Sequence, residues 1–184
     1  PTGGEILFIE ATAIPGKGGL TLTGLLGDSR RESAQAAMSY LRSHAKPLGL
    51  DPSKLGKTDV HVHVPAGAVP KDGPSAGVAI ASALISLYRD RPIQKELAMT
   101  GEVTLTGRVL PVGGVREKVL AARRAGIKTI LLPRHNDKDL VELPPEVKAD
   151  MTFRLVDTLD DVLPRLFDDL PAKPRGPEPA EPPA

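Results

Sequence analysis

The sequence contains no cysteine and no tryptophan, and aromatic residues make up only 3% of its 184 residues. Without cysteine there can be no disulfide framework, no thiolate metal site and no cysteine nucleophile. Any catalytic nucleophile must therefore be an oxygen or an amine. The shortage of aromatic residues predicts a core of aliphatic side chains.

An excess of charge of one sign is also lacking. The 24 Lys and Arg residues stand against 23 Asp and Glu residues, which leaves a net charge of +1 and no basic surplus for nucleic acid or an anionic membrane. The longest apolar run, residues 76–88, is too short to cross a bilayer, and the N-terminus has no export-signal pattern. We therefore expect a cytoplasmic protein with neither membrane nor nucleic acid as a partner.

The composition, with 40% hydrophobic and 26% charged residues, is that of a globular protein large enough for one domain. We predict this domain over residues 1–170. Residues 171–184 hold six prolines and no apolar side chain larger than alanine or proline, so we predict a disordered Pro-rich tail there.

The hydrophobic pattern changes repeatedly between the period of a strand and that of a helix, which predicts an α/β (α+β) domain. A glycine-rich turn at residues 15–19 predicts that its flanking strands form a hairpin, and residues 29–32 match a helix capping box. The predicted strands are 5–13, 20–26, 60–64, 97–100, 103–110, 129–132 and 153–156. The predicted helices are 28 to 47 or 49, 76–88, 115–125 and 158–167.

Ser75 lies where a loop rich in glycine and proline is expected to become a buried helix. Gly73 and Gly77 flank it and let a substrate backbone come close. Unpaired N–H groups at a helix start can stabilise a developing oxyanion, so this setting suits acyl transfer. A serine in this place can equally be a simple N-cap, and the motif alone leaves both interpretations open.

A serine nucleophile needs a base, and neither a His–Asp pair nor a G-x-S-x-G elbow surrounds Ser75. Lys118 lies one turn into a predicted helix and beside apolar residues. A lysine desolvated in this way can lose its proton near neutral pH and act as a base. The alternative is a solvated lysine on an outer helix face.

Three segments together resemble the linked motifs of the Lon protease catalytic domain, in the same order and spacing: residues 70–77 (PKDGPSAG), 99–102 (MTGE) and 110–118 (LPVGGVREK). The similarity covers most of residues 3–167. It implies a Lon-type proteolytic fold of mixed sheets with helices packed on them. It also implies a Ser75–Lys118 dyad that cuts unfolded, damaged or short-lived regulatory proteins through an acyl-enzyme.

The resemblance further places Thr100 near the dyad, where its hydroxyl can hold the lysine amine; a strand-end threonine without that role is the alternative. Asp72 can order the loop before Ser75 or pair with a lysine, or it can be a plain turn residue. His61 and His63 share one face of a strand, but no third ligand has suitable spacing, so we assign no metal. We expect His63 to be structural or to line the site.

Lon proteases couple proteolysis to an AAA+ ATPase module and assemble as ring hexamers, and the resemblance implies both here. The sequence has no G-x-x-x-x-G-K-[ST] phosphate loop, so we expect an excised fragment without a cofactor, and ATP and Mg at a module outside it. Because the sequence starts at Pro1, we expect one strand of the family's domain to be lost or misplaced. Residues 29–31 (SRR) occupy positions where the family pattern has two apolar residues before a polar one, which affects local packing or a subunit contact.

Two other functions stay open. A glycine-rich loop that opens a buried helix also cradles phosphates in small-molecule kinases, although the match at residues 73–77 is short. The second alternative is a non-catalytic Lon-like module that serves for oligomerisation or binding. The presence of both Ser75 and Lys118 argues against it. The S-x-x-K pattern at residues 43–46 lacks the partner motifs of penicillin-binding enzymes, so we exclude that class.

Overall fold

The structure, a computed structural model, describes residues 9–24, 27–65 and 76–167. Within these ranges strands and helices alternate, which confirms the predicted α/β (α+β) class. None of the described helices has the length and hydropathy to cross a membrane, and the predicted tail lies outside the described residues. The strands are β1 (Glu10–Pro15), β2 (Leu20–Gly24), β3 (Thr58–Val64), β4 (Leu97–Met99), β5 (Glu102–Val103), β6 (Val109–Leu110), β7 (Thr129–Pro133) and β8 (Thr152–Val156). The helices are α1 (Asp28–Ser43), α2 (Pro52–Gly56), α3 (Gly77–Arg89), α4 (Val115–Arg124), α5 (Asp137–Val141), α6 (Pro145–Asp150) and α7 (Leu159–Leu166), with a 3-10 turn at Arg134–Asn136.

The first sheet has the order β1-β3-β2, so the predicted hairpin of the first two strands is wrong. β3 lies between them, antiparallel to β1 and parallel to β2. Its alternate valines, Val60, Val62 and Val64, are buried, which favours the central position. At the start of β3 the Asp59 carboxylate accepts the N–H of Gly19 at 2.7 Å and holds the β1–β2 connection against this first part of β3.

The second sheet is parallel, with the order β4-β7-β8, and separates two hydrophobic clusters. On β7, Leu131 faces the cluster formed with α1, α3 and α7, whereas Ile130 and Leu132 face the cluster formed with α4 and α6. This alternation is the two-residue period of a strand buried on both faces. The sheet thereby places the end of β4 beside the start of α4.

Helix α1 begins at Asp28 as predicted, but its N-terminal cap and its C-terminal end differ from the prediction. Gly27 is its N-cap and no side chain caps it, so Ser29 lies inside the helix and the predicted capping box is wrong. The helix ends at Ser43, before Pro47, and the chain continues as turns. Within the segment that departs from the family pattern, Arg30 is buried while Arg31 is exposed, so an arginine occupies an interior position.

The predicted strand at residues 103–110 is instead a hairpin of β5 and β6. Gly107, with a φ of +80°, turns the chain back on itself, and a side chain there would collide with the Tyr40 ring. The predicted helices α3, α4 and α7 and the predicted strands β3, β7 and β8 are confirmed within one or two residues. Helix α2, the 3-10 turn, α5 and α6 were not predicted, because short polar helices carry little periodic signal.

Candidate active site

Lys118 lies in the first turn of α4, whose N-cap is Gly114 in the left-handed region with a φ of 69°. Val115 and Val119 bury one face of this helix in the cluster against the second sheet, which leaves Lys118 half-buried. Its Nζ donates to the Gly113 carbonyl at 3.1 Å and to Thr100 Oγ1 at 3.3 Å. The lysine amine therefore lies between two uncharged oxygen acceptors.

Burial lowers the pKa of Lys118 below its ordinary value, because removal from water penalises the ammonium form. The carboxylate of Glu117 acts in the opposite direction and raises the pKa, but its effect is the smaller one. The structure thus shows the desolvation of the Lys118 amine that its apolar neighbours led us to expect. Compared with an exposed lysine, Lys118 is neutral over a wider range of pH.

Thr100, only 4% exposed, directly follows β4. Its N–H donates to the Leu131 carbonyl at 3.0 Å, which extends the pairing of β4 with β7 by one residue. Its hydroxyl accepts the hydrogen bond from Lys118. The contact implied by the family resemblance is therefore formed, and it joins the second sheet to α4.

The start of α3 packs on the residues that follow Thr100. Val78 N–H donates to the Gly101 carbonyl at 3.1 Å. A Cβ on Gly77 would lie 2.8 Å from the backbone nitrogen of Val103, so only glycine permits this approach. Because the Val78 N–H is already paired, it is not among the free helix-start donors that an oxyanion requires.

Three of the predicted site residues, Asp72, Gly73 and Ser75, lie outside the described residues, and the described chain resumes at Ala76. The structure thus brings together Lys118 and Thr100. The assignments of the other three residues stay predictions.

His63 and His61 both contact the hydroxyl of Thr23 on β2. The Thr23 Oγ1 lies 2.8 Å from His63 Nδ1 and 2.6 Å from His61 Nε2. One hydroxyl thereby links the two imidazoles across the β2–β3 pair, which gives His63 a structural contact within the first sheet. Across the ranges that the structure describes, no group of three or more His, Asp or Glu residues is arranged to hold a metal ion.

Sequence reasoning missed Asn136, which supports the loop of residues 111–114 before α4. Asn136 is 3% exposed, and its side-chain amide pairs with both backbone groups of Val112. The available signal was an asparagine placed just after the buried strand β7, where a polar side chain is close enough to reach a neighbouring loop.

Residues 1–169 match the family model of the Lon protease (S16) C-terminal proteolytic domain. The chain belongs to this family. It is 58% identical over 167 residues to the Lon protease of Roseiflexus castenholzii, which covers 91% of this chain and 21% of that protein. It is 61% identical over 161 residues to the Lon protease of Aquifex aeolicus, and this match covers 87% of this chain and 20% of that protein. For the Lon protease of Anaeromyxobacter dehalogenans the identity is 55% over 180 residues, and the match covers 98% of this chain and 21% of that protein.

This Lon proteolytic domain is of the serine-peptidase type. Membership in the family favours peptide hydrolysis over the phosphate-binding, kinase-like alternative. The chain spans about one fifth of the length of the curated relatives that it matches.

Proposed function

We propose that this chain hydrolyses peptide bonds as the proteolytic domain of an ATP-dependent Lon protease, with Ser75 as the nucleophile and Lys118 as the general base. The observation that carries the proposal is the setting of the Lys118 amine, half-buried between Thr100 and Gly113. A neutral lysine amine has two N–H groups and one lone pair. With both N–H groups directed at these oxygens, the lone pair is left to accept a proton from a hydroxyl.

Chain connectivity supports Ser75 as the donor of that proton. Ser75 is joined through Ala76 to Gly77, where α3 begins. The start of α3 is held against Gly101 and Val103, which follow the threonine that binds Lys118. The segment next to Ser75 and the segment that orients Lys118 thus converge at residues 100–103.

In the proposed reaction Ser75 Oγ attacks the carbonyl carbon of the scissile peptide bond while Lys118 accepts the hydroxyl proton. The resulting ammonium gives this proton to the leaving nitrogen, the C–N bond breaks, and an ester remains on Ser75. Water then attacks the ester, with Lys118 again taking a proton. The Lys118 ammonium then returns this proton to Ser75 Oγ as the ester C–O bond breaks, which releases the carboxyl product and restores both the Ser75 hydroxyl and the neutral amine.

The wider assignments follow from family membership. We propose that the intact protein cuts unfolded, damaged or short-lived regulatory proteins, assembles as a homohexamer and works in the cytoplasm. The proteolytic domain itself takes no cofactor in this proposal; ATP and Mg are bound by an AAA+ module in the same protein. Asp72 and Gly73 order or line the approach to Ser75.

The decisive experiment compares wild type with Ser75→Ala and Lys118→Ala, in this chain and in the intact protease. Ser53→Ala and Lys46→Ala are matched controls, because both residues are exposed. An unstructured protein serves as substrate, and mass spectrometry identifies the products. We expect cleavage by wild type and both controls and none by the two active-site variants.

Equal cleavage by all five proteins would place the active site elsewhere. Complete inactivity of the wild-type intact protease would instead favour the non-catalytic binding module. A peptide ester adds a direct test of the acyl-enzyme, since the adduct should appear in the intact mass of wild type and be missing from Ser75→Ala.

A further inference from the structure

The side-chain amide of Asn136 forms hydrogen bonds with both backbone groups of Val112, in the loop of residues 111–114, as a neighbouring strand would do. Its Oδ1 accepts the N–H of Val112 at 3.0 Å, and its Nδ2 donates to the Val112 carbonyl at 2.8 Å. The same Nδ2 donates to the carboxylate of Asp139 at 2.8 Å. Since a carboxylate accepts and does not donate, this third contact fixes which end of the amide faces each group of Val112.

We infer that Asn136 is a positioning residue for Lys118, acting through Val112 and the Gly113 carbonyl. Asn136 fixes the peptide group between Val112 and Gly113. Only the backbone torsions of Gly113 separate this group from the carbonyl that accepts the lysine amine. Because glycine has wide conformational freedom, the direction of that carbonyl depends on a restraint from outside the loop.

The segment that carries Asn136 also holds the other acceptor of the amine. On β7, the Leu131 carbonyl accepts the Thr100 N–H at 3.0 Å, and the chain then runs through the 3-10 turn to Asn136. Residues 131–136 thus bind Thr100 directly and act on Gly113 through its neighbour Val112. The location of the Lys118 amine is therefore set by one segment rather than by the rotamer of a long side chain alone.

Two charged groups border this network. Glu117 acts on Lys118 from the same helix, and the carboxylate of Asp139 is already engaged by Asn136. Loss of the Asn136 amide frees the loop and lets water reach the amine, which removes part of the desolvation that lowers its pKa. Only the consequence for catalysis rests on the proposed function; the positioning itself rests on these contacts.

The test titrates the Lys118 amine by NMR of its 13Cε and 15Nζ nuclei in wild type, Asn136→Ala and Asn136→Ser. Lys118→Arg assigns the signal. Asn136→Ser keeps a polar group, but its hydroxyl is too short to reach both backbone groups of Val112. This variant replaces Asn136→Ala in the titration if the alanine variant does not fold. Ile85→Val, in the other hydrophobic cluster, is a control that lowers stability without touching the loop.

We expect both Asn136 variants to raise the Lys118 titration midpoint by about half a unit or more and to speed hydrogen exchange at the Val112 amide. At neutral pH such a shift reduces the neutral amine, and with it kcat for peptide cleavage, by about threefold, with KM little changed. Ile85→Val should leave the midpoint where it is.

An unshifted midpoint in variants that are less stable would mean that Asn136 is merely structural, and the inference would be overturned. Lys118→Ala separates this from the proposed function. Peptide cleavage by Lys118→Ala at the wild-type rate would remove Lys118 from the mechanism and leave the positioning result intact.

Discussion

Thr100 Oγ1 accepts a hydrogen bond from Lys118 Nζ at 3.3 Å, although the two residues are 18 positions apart. The contact joins the end of β4 to the first turn of α4 across the β5–β6 hairpin. Thr100 is buried, so its hydroxyl has few alternatives to the lysine amine. The pair therefore ties the position of the proposed base to the second sheet.

The rate of peptide cleavage should rise with pH through the folded-state pKa of Lys118. Because burial lowers this pKa, the rise should come at a lower pH than the value of about 10.4 for a lysine in water. The measurement is kcat/KM for a peptide substrate between pH 6 and pH 10. A rate that does not change across this range would count against Lys118 as the base.

The free energy of unfolding should also depend on the titration of Lys118. Because the folded-state pKa is lowered, the unfolded chain binds more protons than the folded chain between that pKa and the ordinary lysine value. The stability of wild type relative to Lys118→Met should therefore rise with pH through this window. Urea unfolding of both proteins between pH 7 and pH 10 measures it, and a constant difference would contradict the lowered pKa.

Replacing Thr100 by valine keeps the shape of the side chain and removes the hydroxyl. The amine becomes an ammonium as it takes the Ser75 proton, and a hydrogen bond to a charged group is worth about 1.5–3 kcal/mol, so kcat should fall about 10- to 100-fold. Thr100→Ser retains the hydroxyl and should keep most of the activity. Full activity in Thr100→Val together with a loss in Thr100→Ser would show that the methyl group, rather than the hydrogen bond, matters.

Gly77→Ala should disturb the start of α3, because the added Cβ would lie 2.8 Å from the Val103 nitrogen. We expect a loss of about 1–3 kcal/mol in stability, and reduced peptide cleavage because Ser75 is two residues away. Gly56→Ala is the matched control in another helix, where a Cβ meets nothing within 4 Å. That substitution should leave activity unchanged and raise stability by about 0.4–1 kcal/mol in thermal unfolding.

Asp59→Ala should lower the melting temperature, since the N–H groups of Gly19 and Lys17 lose their acceptor at the β1–β2 connection. These two hydrogen bonds also lower the pKa of Asp59. Its contribution is therefore fully present above the unfolded-state pKa of about 3.9 and is lost as pH falls through the folded-state pKa. When thermal unfolding is measured from pH 7 to pH 2, the melting temperature of wild type should approach that of Asp59→Ala as the pH falls. Glu32→Ala, at an exposed position in another element, is the control variant.

Local patterns were enough to predict the elements around the candidate site. The apolar run at residues 76–88 predicted α3, and the spacing of Val115, Val119 and Ala122 predicted α4 with Lys118 beside its buried face. The same patterns did not reveal which strands pair. The β1–β2 connection has the composition of a hairpin turn, but Asp59, some 40 positions away, accepts its N–H groups and β3 pairs with both strands.

The sequence by itself determined an aliphatic α/β domain without cysteine chemistry, and it determined its family, through three motifs whose residues stand close together along the chain. Only the tertiary structure decided that Thr100 reaches Lys118 and that Asn136 braces the loop before α4. The physical reason is distance along the chain. Periodicity and turn chemistry act over a few neighbouring residues, whereas these contacts form only after the second sheet has brought remote segments together.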